Sequence, residues 1–131
     1  MTAAMDPIGD PLLVAGDRRA GQAARRTVRD RAAKVVTAEE TLDDVELMTA
    51  EAIANAVLHG SGLIRITVRG DDRRVRVEVR DEGPAPRDTS AGHRIDHGRG
   101  LAVIDALAAE WGLEQSPEET HLWFTVEAPG P

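Results

Sequence analysis

The sequence predicts an α+β fold: a two-layer α/β sandwich whose helices cover one face of a mostly antiparallel, mixed sheet. Two observations carry that prediction. Residues 37–60, "TAEETLDDVELMTAEAIANAVLHG", place Leu42, Val45, Met48, Ala52, Ile53 and Ala56 at three- and four-residue steps, the repeat of one helix face. Residues 63–69 and 74–80, "LIRITVR" and "RVRVEVR", alternate apolar and polar side chains strictly, the repeat of a strand with one buried face. Helices therefore come as a group beside paired strands, not as alternating strand–helix–strand units.

Taken in order, residues 1–10 combine small residues, Pro and Gly without periodicity and read as a flexible N-terminal tail, followed by a single domain over 11–128. "PLLVA" (11–15) is a short strand, and residues 17–36 form an Arg-rich helix with Asp17 as N-cap and a thin apolar face of Ala and Val. In the long helix that follows, Asp43 and Asp44 suit the positive N-terminal end, and Gly60 or Gly62 supplies a left-handed terminator. "GDD" (70–72) joins the two alternating strands into a hairpin. Residues 82–98 are a long Gly- and Pro-rich loop, of a length that in a compact domain marks function. "GRGLAVIDALAAEWG" (98–112) opens a third helix, with Leu101, Ile104, Leu107, Ala108 and Trp111 on one face. Two strands, 113–116 and 120–126, complete the sheet.

At 131 residues the chain is one domain, large enough to bury about two-thirds of its unfolded surface. It contains no cysteine, which removes disulfides, thiolate metal sites and thiol nucleophiles together. A net charge of −7 and a near absence of aromatics argue against nucleic-acid partners. No stretch has the length of a membrane span or the pattern of a secretory leader, so the expected location is cytoplasmic.

Three stretches could carry chemistry. In "EAIANAVLHG", Glu51, Asn55 and His59 follow one another at four-residue steps along one helix side. A carboxylate there can serve as base for an attacking hydroxyl, and a carboxamide oxygen one turn on is a hard ligand suited to Mg²⁺; a solvated helix face would read the same, and His59 suits the negative helix end. "DEGPAP" ends the second hairpin strand, placing Asp81 where a carboxylate can accept from a ligand amino group and Gly83 where backbone and ligand can approach; an acidic turn would also read this way. "HGRGL" begins the third helix, and the N–H groups of Gly98 and Gly100, with the charge of Arg99, suit phosphate; a Gly-rich hinge before a helix would read the same way. No P-loop is present.

In this order, E-x-x-x-N on a helix, D-x-G after a strand and G-x-G-L opening a helix, the chain resembles the GHKL (histidine-kinase-like) ATPase superfamily, with its N, G1 and G2 boxes. "EAIANAVLHG", "VEVRDEGPAPR", "GRGLAVIDALAAEWG" and "THLWFTV" most resemble the short bacterial anti-sigma regulatory factors, which are serine-protein kinases; the resemblance spans residues 11–127. It implies a Bergerat-type ATP-binding fold, with ATP and Mg²⁺ as cofactors and residues 84–98 as an ATP lid. It further implies that Asn55 holds the Mg²⁺ that bridges the phosphates and that Glu51 is the catalytic base. Asp81 would take the adenine amino group, with Gly83 shaping the pocket floor. Gly98, Arg99, Gly100 and Leu101 would close on the phosphates, and Thr120 would help hold the adenine. The implied partners are a sigma factor and an anti-anti-sigma antagonist that the protein phosphorylates on Ser or Thr. A nucleotide-binding interaction module without turnover is the alternative. A detached histidine-kinase catalytic domain is another, although the helix over 17–36 carries no phosphoacceptor His. The chain departs from the pattern at Ala85 and Glu119, where the family has Gly, and its G2 box is a single "GRG".

Two further features remain. His93 and His97 lie four apart in the long loop without a further ligand nearby, and read as loop residues. Arg65, Arg69, Arg74, Arg76 and Arg80 share the exposed hairpin face with Thr67 and Glu78; the face is either plain solvated surface or a dock for an acidic partner or for a second subunit in a homodimer.

Overall fold

The computed structural model describes residues 5–83 and 98–129, with the side chains of 98–100 left aside. Among the described residues three helices, α1 (Arg18–Ala32), α2 (Glu39–His59) and α3 (Gly98–Leu107), accompany six strands: β1 (Asp6–Pro7), β2 (Leu12–Val14), β3 (Ile64–Gly70), β4 (Arg74–Asp81), β5 (Glu110–Gln115) and β6 (Thr120–Glu127). The strands form one sheet in the order β1-β3-β4-β6-β5, with β2 also paired to β3. Every pairing among the described residues is antiparallel, so the sheet is not mixed as expected.

The alternation read along the hairpin holds in space. Ile64, Ile66, Val68, Val75, Val77 and Val79 are buried beneath the helices, joined by Leu122, Phe124 and Val126 of β6. From the helical layer come Val28 and Ala32 of α1, Val45, Met48 and Ala52 of α2, and Ile104 of α3, all fully enclosed. Burial of these side chains is the main term holding the two layers together. Because the buried positions of α1 are Ala24, Val28 and Ala32, it lies close against α2, and a charged clamp ties the pair. Arg29 reaches Glu39, Asp43 and Glu46 at 3.0, 2.9 and 3.0 Å.

Local signals account for most element ends. The Asp17 carboxylate accepts the Ala20 N–H at 2.8 Å and caps α1 as expected. Helix α2 starts at Glu39 without a side-chain cap; its first turn carries Glu39 and Glu40, so Asp43 and Asp44 fall one turn later than expected. Of the two glycines expected to end it, Gly60 is extended, with φ −104° and ψ −168°, and only Gly62, at φ +72°, is left-handed. At the hairpin, Gly70 still pairs with Val75, and the Asp71 carboxylate accepts the N–H groups of Arg73 and Arg74 at 2.9 and 2.7 Å. Those two bonds hold the Asp71 carboxyl below its ordinary pKa.

Two elements differ from expectation. Asp6–Pro7, expected in the tail, pairs with Gly70 and Arg69, while Leu12–Val14 pairs with Ile66 to Ile64. Residues 6–14 thus form a strap along the β3 edge, fixed between the two strands by Ile8 N–H donating to Val68 at 2.8 Å and Arg31 donating to the Asp10 carbonyl at 2.6 Å. The other concerns α3, which ends at Leu107; Trp111 lies on β5 opposite Phe124. Helical spacing continues past the helix end in the sequence, but pairing with β6 wins. Trp111 keeps a link to α3 through its indole N–H, which donates to Asp105 at 2.8 Å.

The outer sheet face is largely neutralised from within. Glu78 lies 2.8 Å from Arg76, 3.7 Å from Arg80 and 3.9 Å from Arg69, and Glu119 meets Arg80 at 3.0 Å. Arg76 stacks 4.1 Å from the Trp123 ring centre, and Arg74 turns aside to Asp71.

Candidate functional site

The site is built where the ends of α2, β4 and β6 meet. Asp81 is the last residue of β4 and faces Thr120, the first residue of β6, across the ladder. Both are buried. The Gly83 N–H donates to Asp81 Oδ1 at 2.9 Å, and the Thr120 hydroxyl also hydrogen-bonds the carboxylate. Two acceptor positions are thereby occupied, while an ionised carboxylate offers about four.

Glycines make this geometry possible. A Cβ on Gly60 would fall 2.3 Å from Asp81 Oδ2, so the end of α2 can abut the carboxylate only without a side chain there. Gly83 has φ +96°, and a Cβ on it would lie 2.5 Å from the Pro117 carbonyl oxygen. The turn over 81–83 is therefore packed between the loop after α2 and the turn before β6.

Burial pushes the Asp81 carboxyl above its ordinary pKa, against the opposing pull of the Gly83 and Thr120 hydrogen bonds; the nearby charges of Glu119 and Glu82 add to the rise. A carboxyl raised in the folded state contributes stability that is fully present below its unfolded pKa of 3.8 and is lost as pH rises through the folded value. Ionised Asp81 therefore destabilises the fold at neutral pH. Asp81→Asn is expected to raise the melting temperature at pH 7.5, with the gain shrinking as pH falls below the folded pKa; a thermal melt series across pH checks this.

Glu51 and Asn55 are half-buried on α2, one turn apart, on the helix against which α3 packs. Neither side chain is hydrogen-bonded to another described residue. Asn55 precedes Gly60 by five residues, about 7–8 Å along the helix axis. Helix α3 begins at Gly98, so the backbone N–H groups of Gly98, Arg99 and Gly100 belong to its first turn, where an anion is favoured. Leu101 is buried in the core beside Ile104. Residues 84–97, with Ala85, His93, His97 and most of the expected lid, lie outside the described residues.

Mg²⁺ fits this donor set in one way only. Among the described residues no group of three or more metal-type side chains exists, so no dedicated cage is built. Asn55 could supply one oxygen, the remaining ligands being phosphate oxygens and water, which is the habit of this ion.

Sequence reasoning missed the loop after α2. Ser61 accepts the Glu82 N–H on its carbonyl at 2.9 Å and donates its hydroxyl to the Gly83 carbonyl at 3.1 Å. The one available signal was a serine held between two glycines directly after the helix.

Fold and site together give an α+β sandwich with a buried strand-end carboxylate, a polar helix side and a helix N-terminus. The chain belongs to the histidine kinase-like ATPase domain family, whose pattern matches residues 14–126. It is similar to the anti-sigma F factor of Clostridium acetobutylicum, with 38% identity over 64 residues. That alignment covers 46% of this chain and 45% of the relative, less than half of either. Among solved structures it is similar to the RsbU and RsbW domains of Rv1364c from Mycobacterium tuberculosis, with a TM-score of 0.67 and 22% identity. That match covers 93% of this chain and 33% of the other, and shows the fold. No helix among the described residues is long and apolar enough to cross a membrane.

Proposed function

We propose that this protein is an ATP-binding anti-sigma factor with serine/threonine-protein kinase activity. It holds a sigma factor and phosphorylates an anti-anti-sigma antagonist, so that the antagonist cannot release the sigma factor. The observation that carries the reading is the Asp81 carboxylate, buried at the strand end and held by Gly83 and Thr120 in a chain of the ATPase family. The similarity to an anti-sigma F factor supports the regulatory role.

In this reading Asp81 accepts the adenine amino group, and the N–H groups at the start of α3 take the phosphates. Asn55 would hold Mg²⁺, which would supply charge neutralisation for the transferring group. Glu51 takes the proton of the attacking hydroxyl as its oxygen bonds to the γ-phosphorus. The bond from that phosphorus to the β–γ bridging oxygen breaks, and ADP leaves with the bridging oxygen. Positioning and charge neutralisation do most of the work.

A binding module that holds nucleotide without transfer is the second reading, favoured by the reduced G1 box, in which Ala85 stands where the family has Gly. Incubation with Mg·ATP and the candidate antagonists of the same genome separates the two. Transfer to one of them, reduced about 10²- to 10⁴-fold in Glu51→Gln, is the expected result. ATP binding with no transfer to any candidate would establish the binding module instead.

A further inference from the structure

We infer that Ser61 is a positioning residue for base selectivity: it locks the 81–83 turn so that the Asp81 carboxylate presents a fixed acceptor to an adenine amino group. The inference rests on the reading of Asp81 given above and adds a residue outside the three recognised stretches.

The loop over 60–63 and the turn over 81–83 mesh at five points. The Ser61 carbonyl accepts the Glu82 N–H at 2.9 Å, and the Ser61 hydroxyl donates to the Gly83 carbonyl at 3.1 Å. Glu82 returns a bond, its Oε2 accepting the Leu63 N–H at 3.2 Å. Gly60 lies against the Asp81 carboxylate, as its lack of a side chain permits. Gly62, at φ +72°, lies as close to the Glu82 carboxylate.

These contacts act on Asp81 through Gly83. The Gly83 N–H sets the Asp81 carboxylate by donating to Oδ1, and Ser61 bonds the carbonyl of that same residue. On its far side Gly83 is confined by the Pro117 carbonyl. Of the groups that hold Gly83, only the Ser61 hydroxyl can be removed by a small change that leaves the backbone bonds in place. The same loop follows directly on the last residue of α2, so Ser61 also joins the acceptor to the helix that carries Glu51 and Asn55.

The consequence is selectivity. Adenine offers an amino group where guanine offers a carbonyl oxygen, and a fixed carboxylate attracts the first and repels the second. A carboxylate free to turn away loses affinity for ATP and loses part of its rejection of GTP. A residue with only a structural role would change the melting temperature and leave the ATP/GTP affinity ratio as it was.

The test uses the full chain as wild type, Ser61→Ala and Ser61→Thr. In nucleotide-free protein, amide exchange at Glu82 and Gly83 should quicken in Ser61→Ala and return towards wild type in Ser61→Thr, which keeps the hydroxyl. In titrations with Mg·ATP and Mg·GTP, Ser61→Ala should lower the ATP/GTP affinity ratio about 2- to 10-fold, the worth of one hydrogen bond, and Ser61→Thr should restore it. A wild type selective for ATP with an unchanged ratio in Ser61→Ala overturns the role of Ser61 alone. A folded wild type that binds neither nucleotide overturns the Asp81 reading and this inference with it.

Discussion

Asn55→Ala is expected to abolish phosphate transfer, lowering its rate by more than about 100-fold, while leaving the fold intact. Even the groups that only orient metal ligands cost about 10- to 100-fold when removed, and a direct ligand costs more. The fold should tolerate the change because Asn55 is half-buried and hydrogen-bonded to no other described residue. Ala is also the better helix former, which favours α2 slightly. The signature is therefore a stable protein with little or no transfer, and Mg²⁺ that no longer strengthens ATP binding. Circular dichroism melts and a Mg²⁺ titration of ATP affinity check both halves. Undiminished transfer in Asn55→Ala would remove this residue from the metal site.

Gly83→Ala is the second large effect, and it acts on both stability and binding. A residue with a side chain at φ +96° carries strain of about 1–3 kcal/mol. The new Cβ would also meet the Pro117 carbonyl oxygen at 2.5 Å, a backbone atom that cannot swing aside. Overpacking of this kind adds about 1–3 kcal/mol, so the loss is about 2–6 kcal/mol out of a total that for a domain of this kind is about 5–15 kcal/mol. If the turn moves to relieve the contact, Asp81 loses its Gly83 donor and ATP affinity falls further than the melt alone would suggest. Gly21→Ala is the control. Gly21 lies within α1, its Cβ would make an ordinary 3.5 Å contact with Ile53, and the helix should gain about 0.5–1 kcal/mol. Denaturant melts of both variants, with ATP titrations of the folded protein, read the contrast.

Much of this was legible in the sequence because it is local. The period-2 alternation from Ile64 to Val79 needs no partner to be seen, and every apolar position in it is buried. Asp81 could be singled out because it ends that alternation and a glycine follows two residues later. What escaped depends on contacts far along the chain. Ser61 finds its partner 22 residues on, and Asp6–Pro7, expected in the tail, is held by backbone pairing to Gly70 and Arg69 of β3. Neither leaves a local pattern. Trp111 was misplaced for the opposite reason: a good helical spacing continued beyond the point where pairing with Phe124 took over. Gly60 does end α2 as expected, though in an extended conformation, and it also gives clearance for the Asp81 carboxylate.

The account rests most directly on Asp81 as the reader of an adenine base, and calorimetric titration of the wild-type protein with Mg·ATP and Mg·GTP tests it. The account predicts saturable ATP binding, GTP weaker by at least about tenfold, and loss of that preference in Asp81→Asn even though the variant melts no lower than wild type. A folded wild-type protein that shows no saturable ATP binding, or that binds ATP and GTP alike, would contradict it.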